Sequence, residues 1–164
     1  MSEQRTFIGK FQGVVSDNQD PEMRGRIRAK VQDVFGEHES GWALPAVPYA
    51  GKGVGLFLIP PNGASVWIEF EQGNPEYPIW TGCFWGKGEA PVLPALPDVK
   101  MLKTDVGTIT LDDTPGAGGL TIETTSGFKI LLDMQGITIE NGQNATITLS
   151  GPQVSVNNGA LEVT

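Results

Sequence analysis

Residues 99–164 repeat one short unit: two aliphatic residues separated by a single residue, then a turn. The pairs are Ile109/Leu111, Leu120/Ile122, Ile130/Leu132, Ile137/Ile139, Ile147/Leu149, Val154/Val156 and Leu161/Val163. A strand alternates its side chains with period two, so both members of a pair share one face. The polar neighbours in Thr-Ile-Thr-Leu, Ile-Thr-Ile-Glu and Val-Ser-Val-Asn take the other. Gly107, Gly119, Gly127, Gly136, Asn144, Gly151 and Gly159 fall between the pairs as turn residues.

This pattern limits what the region can fold into. Two or three inward aliphatics per strand offer little burial against the entropy of ordering the chain. A solenoid coil takes about 20 residues, so the region would supply barely three coils. Three chains around one axis answer the problem better, because the aliphatics then meet on the axis and strand edges find partners. The expectation is an intertwined trimeric β-helix or β-prism. Its axial packing residues are Ile130, Leu132, Ile139, Ile147, Leu149, Val154 and Val156.

Residues 7–86 differ in character. All four tryptophans of the chain, Trp42, Trp67, Trp80 and Trp85, lie there, whereas Phe128 is the single aromatic beyond residue 98. Phe7–Ser16 reads as a strand, and Asp17–Gly25 as a turn rich in Asx residues, Pro and Gly. Arg26–Val34 alternates, with Ile27, Ala29 and Val31 opposite Arg26, Arg28 and Lys30. Leu56–Ile59 reads as a short strand, closed by Pro60-Pro61-Asn62-Gly63. Val66, Ile68 and Phe70 alternate with Trp67 and Glu69, and Tyr77–Trp85 is the last strand. About five strands without a helix suit a small closed barrel of the OB type. The organisation is therefore all-β: an OB-fold barrel over 1–88, a linker over 89–98 with Pro91, Pro94 and Pro97, and the repeat over 99–164.

Charge and chemistry exclude much. The net charge is −8, which disfavours nucleic acid as a partner. Arg24, Arg26, Arg28 and Lys30 read as one solvated strand face. Cys83 is the sole cysteine, sits among apolar residues and reads as a core thiol. His38, the sole histidine, falls in a polar loop. Glu69 and Glu71 are two apart on an expected strand and read as an outward acidic edge, not a catalytic pair. Asp17, Asp20 and Glu22 lack EF-hand spacing, and no Walker, Rossmann or nucleophile-elbow pattern occurs. No catalytic residue, metal site or cofactor is expected. The start, Met1-Ser2-Glu3-Gln4-Arg5, opens no signal peptide, so synthesis in the cytoplasm without an export signal is expected.

The order Gly13-Val14-Val15-Ser16-Asp17-Asn18-Gln19-Asp20-Pro21, Gly25-Arg26-Ile27-Arg28-Ala29-Lys30-Val31, Trp42-Ala43, Pro60-Pro61-Asn62-Gly63-Ala64-Ser65-Val66-Trp67-Ile68-Glu69-Phe70-Glu71-Gln72-Gly73-Asn74 and Pro78-Ile79-Trp80-Thr81-Gly82 resembles the spike proteins of contractile tails. These comprise phage baseplate spikes and the VgrG-like spikes of type VI secretion and extracellular injection particles. The resemblance implies a homotrimer with an OB collar held by baseplate hub and tube proteins. It implies a needle driven through the target membrane on sheath contraction, within a virion or injection-particle baseplate. It makes Gly25, Pro61, Gly63, Gly73 and Gly82 turn or close-approach positions of the OB fold. Leu161, Val163 and Thr164 then form a docking end for a PAAR-type tip protein, with effector cargo possible in principle.

Some relatives carry a lysozyme domain where this chain has the Pro-rich linker, and others bind iron at a histidine-bearing tip that this chain lacks. Two competing readings have clear discriminators. An OB module for glycan or single-stranded nucleic acid needs free stacking platforms, for which Trp42, Trp67 and Trp85 are the candidates. An envelope-degrading enzyme needs a carboxylate such as Glu69 free to act.

Overall fold

The computed structural model describes residues 5–163, with side chains to Leu161. The chain divides into two units, Met1–Lys87 and Gly88–Thr164.

The first unit runs β1 (Phe11–Asp17), β2 (Arg28–Lys30), α1 (Gln32–Phe35), β3 (Leu44–Pro45), β4 (Ala50–Gly51), β5 (Val54–Gly55), β6 (Ser65–Phe70) and β7 (Pro78–Cys83). Five of these strands form a curled sheet in the order β2-β1-β6-β7-β3. Its members are antiparallel except β3, which lies parallel to β7. Next to its two outer strands, Ile27 and Ala43 exchange both backbone hydrogen bonds, at 3.2 and 2.8 Å. The concave side is the core: Val15, Ile27, Ala29, Val31, Ala43, Val66, Ile68, Phe70 and Trp80. Phe7, Phe11 and Phe35 pack their rings 5.5–6.0 Å from that of Phe70.

Several sequence expectations need correction here. The strand expected over 26–34 stops at Lys30, and Gln32–Phe35 is one helical turn. Val31, Val34 and Phe35 have helical rather than alternating spacing, and Gly36 N–H closes the turn on the Gln32 carbonyl at 3.0 Å. Leu56–Ile59 pairs with no strand. β6 ends at Phe70, and Glu71 opens a tight turn, so Glu69 and Glu71 do not share a strand face. Cys83 is exposed, not a core thiol. The β6–β7 register shifts between Val66 and Ile68, which pair with Cys83 and Trp80. Along β7 the buried residues are Pro78 and Trp80, and Cys83, three residues beyond Trp80, falls on the opposite, outward face by simple alternation.

The second unit contains β8 (Val99–Lys103), β9 (Gly107–Asp112), β10 (Gly119–Thr124), β11 (Lys129–Asp133), β12 (Gly136–Glu140), β13 (Thr146–Ser150), β14 (Gln153–Val156) and β15 (Leu161–Val163). Each strand pairs antiparallel with its sequence neighbours only, giving one eight-stranded sheet. Strand spacing of about 4.8 Å makes it about 34 Å long across the strands. The turns are set by short polar side chains. Asp133 Oδ1 accepts from Gln135 N–H at 2.8 Å and Gly136 N–H at 3.2 Å, and Asn141 Oδ1 from Gln143 N–H at 2.8 Å and Ala145 N–H at 3.0 Å. The chain zigzags rather than coils. Open strand edges do not by themselves call for other chains, because this sheet pairs its inner strands within one chain and, among the described residues, leaves the outer edges of β8 and β15 unpaired. What it lacks is cover for a face.

Candidate functional site

The register of the second unit aligns its aliphatics into two unbroken columns. One runs Leu102, Ile109, Ile122, Ile130, Ile139, Ile147, Val156, Leu161. The other runs Leu111, Leu120, Leu132, Ile137, Leu149, Val154, Val163, with Lys100 in first place beside Leu111. All seven residues expected as axial packing lie in these columns. Ile130, Ile139, Ile147 and Val156 share the first, and Leu132, Leu149 and Val154 the second.

Most residues of these columns are exposed, while Leu120, Ile137 and Val156 are half-buried. Ile130, Leu132, Ile139, Ile147, Leu149 and Val154 keep 36–41% of their surface in water, and Leu161 keeps 60%. The opposite face carries Thr110, Thr121, Leu131, Thr138, Thr148 and Ser155 in register. On β11 and β13, its central residues Leu131 and Thr148 are half-buried, less exposed than the aliphatics on either side of them. A sheet that stood alone in water would hide its apolar face first. At the start of the columns the Lys100 ammonium is drawn off to the side by the Asp113 carboxylate and the Asp98 carbonyl.

At the far end, Leu161 and Val163 extend the columns on β15, whose outer edge is unpaired. Thr164 and the side chain of Val163 lie outside the described residues.

The four OB glycines singled out in the sequence, Gly25, Gly63, Gly73 and Gly82, all have positive φ. Gly25 has φ +76°, its carbonyl accepts the buried Trp80 Nε1–H at 3.1 Å, and a Cβ there would lie 2.9 Å from Ile59 Cδ1. Gly73 has φ +76° and accepts Phe7 N–H at 2.9 Å, where a side chain would collide with Thr6 and Ile8. The Pro61 carbonyl accepts Ala64 N–H at 3.1 Å in the turn that contains Gly63. Gly82 sits at the β6–β7 irregularity.

Sequence reasoning missed one cluster. Arg26 is not part of a solvated face: its side chain is 11% exposed, and it pairs with the 4% exposed Asp20 at 2.6 Å. Asp20 also accepts the backbone N–H groups of Glu22, Arg24 and Arg26 at 2.8–3.2 Å, so one carboxylate organises the whole 20–26 turn. The Arg26 guanidinium, then those N–H groups, hold its carboxyl far below the usual carboxylate range against the opposing effect of burial. Arg26 and Arg28 both lie over the Trp42 ring, at 5.6 and 5.0 Å. The usable signal was Asp-Pro followed by alternating Arg before a Trp, but nothing local specifies that these partners meet.

The competing readings fare poorly on this geometry. Trp42 is covered by two guanidinium groups, and Trp67 packs against Phe84 with centroids 4.7 Å apart. Of the three candidate platforms Trp85 alone is widely exposed, at 67%. Glu69 is paired with Lys10 at 2.6 Å. Asp20 is committed to Arg26, and no cluster of three metal-ligating side chains occurs among the described residues. No helix among them is long and apolar enough to cross a membrane.

Comparison with known proteins places both units. Residues 11–85 match the model of the type VI secretion system/phage-baseplate injector OB domain, and residues 99–162 that of the phage baseplate V C-terminal trimerisation domain. No curated protein matches the chain. The two models follow each other in chain order, meet each unit within its bounds and together account for most of the sequence. The chain, matched over both of its units, belongs to the phage-baseplate and type VI secretion injector family, as a structural spike component of such systems.

Proposed function

We propose that three copies of this chain assemble with their aliphatic columns facing a common axis, forming the needle of a contractile injection machine. The observation that carries this is the pair of in-register columns over β11 to β14, in which six of the eight aliphatics keep 36–41% of their surface exposed. A face of that size and regularity needs a matching apolar cover, and a second and third copy supply one of identical length and repeat. The family's trimerisation domain over the same residues supports the number three. Because the strands zigzag, the form is a prism of three flat faces rather than three interleaved coils.

In this reading the five-stranded sheet closes into an OB barrel through the Ile27–Ala43 pairing, and three barrels form a collar held by baseplate hub and tube proteins. The unpaired edge of β15 receives a PAAR-type tip protein by strand addition. On sheath contraction the assembly is driven through the target envelope, and the chain contributes shape and stiffness, with no chemical step.

The solution mass of the full-length protein, by light scattering during size exclusion, tests the assembly. A species of three times the 17.5 kDa chain is expected. A folded monomer at micromolar concentration overturns it.

A further inference from the structure

We infer that neighbouring chains of the needle are clasped at their seams by Phe128 of one chain packing on Met134 of the next. This rests on the trimeric reading and adds which residues make the lateral contact.

Phe128 and Met134 flank the same strand, β11. Thr124 N–H donates to the Phe128 carbonyl at 2.9 Å, which extends the Glu123–Lys129 pairing by one step. Phe128 therefore stands two residues before Ile130 and on the same aliphatic face. At the other end Met134 is the first residue of the turn held by Asp133. Both are wide open to water, Phe128 at 56% and Met134 at 83%. The turns after β8, β10, β12 and β14 form one lateral edge of the sheet, and those after β9, β11 and β13 form the other.

A threefold axis joins such sheets by unlike edges, because its interface is heterologous. It also keeps every strand at its own height, so β11 of one chain lies level with β11 of the next. The edge that Phe128 faces offers Asp113–Gly118, Met134-Gln135 and Gly151-Pro152. Met134 is the single large apolar side chain among them, and Phe128 the single aromatic of the repeat region. A thioether against a ring edge is a favourable and adaptable contact, suited to a seam between identical chains.

The two residues cannot meet within a chain. Six residues along a strand span about 20 Å, whereas a disulfide needs Cα atoms within about 7 Å. The test is therefore unambiguous: Phe128→Cys with Met134→Cys in the full-length chain, in a Cys83→Ser background, oxidised with glutathione disulfide. Non-reducing gels are expected to show a covalent trimer, with each single variant unlinked. Light scattering of the unoxidised double variant is read alongside. A trimeric mass without cross-linking, or a dimer from either single variant, overturns the seam while leaving the trimer standing. A monomeric mass for the double variant and the parent chain overturns both.

Discussion

In the unit that ends at Lys87, nine hydrophobic side chains are buried to 7% exposure or less, whereas none of the described residues from Gly88 onward is buried. Both units are β-sheet. The difference is that the first sheet curls until its concave side is its own interior, and the second stays a single layer. A domain needs two packed layers around a core. The first unit makes its second layer from itself, and in the assembly proposed above the second obtains it from other copies. Two kinds of stability follow: one belongs to the chain, the other to a concentration of chains.

The largest effect should come from charging the uncovered face. Ile139→Asp places one carboxylate per copy against the axis, at a cost of several kcal/mol each. Light scattering should then report a monomer, while the thermal transition of the first unit stays where it was. A trimer that tolerates this change would end the contrast between the units. Ile68→Ala is the reciprocal change. It empties part of the closed core and should lower the stability of the first unit by about 2–5 kcal/mol without altering the trimeric mass.

A smaller loss is expected for Asp20→Asn, and it carries a pH signature. Asp20 titrates near 3.8 when unfolded and lower when folded, so its stabilisation is complete above the unfolded value and declines as pH falls through it toward the folded one. The gap in Tm between parent and variant should be widest above pH 5 and narrow on acidification. A gap that widens toward low pH would refute the role given to this carboxylate. Thr148→Val, on the hydroxyl face, should be the smallest change, within about 0.5 kcal/mol by thermal melting and with an unchanged mass. A large destabilisation there would mean that this face, too, is covered.

The same contrast governs what could be read from the residues. Val66, Ile68 and Phe70 alternate, and the structure buries all three. The aliphatic pairs beyond residue 99 fall on strands, and register aligns them into columns. Local period was enough in both cases. It failed where a neighbour decides the outcome. Arg26 alternates with Ile27 like any solvated charge, and only Asp20 and Trp42, brought from elsewhere, make it buried. Cys83 sits in an apolar run, but once Trp80 is taken into the core, alternation along β7 leaves Cys83, three residues on, facing outward. Val31, Val34 and Phe35 spell a helical turn too short to stand out against the preceding alternation. In the repeat, the pattern gave strands and faces but not whether the chain coils or zigzags, because both arrangements use the same short strands.

The zigzag gives the second unit a mechanical direction. In an antiparallel ladder the N–H···O bonds lie perpendicular to the strands, which here means along the direction in which β8 to β15 are stacked. A force that presses the ends of the stack together brings donor and acceptor closer until packing resists it. A force that draws the ends apart acts on the bonds directly, and they give way one ladder at a time from an open edge. The same sheet is thus a strut under compression and a zipper under tension, which suits the load that the proposed needle would carry.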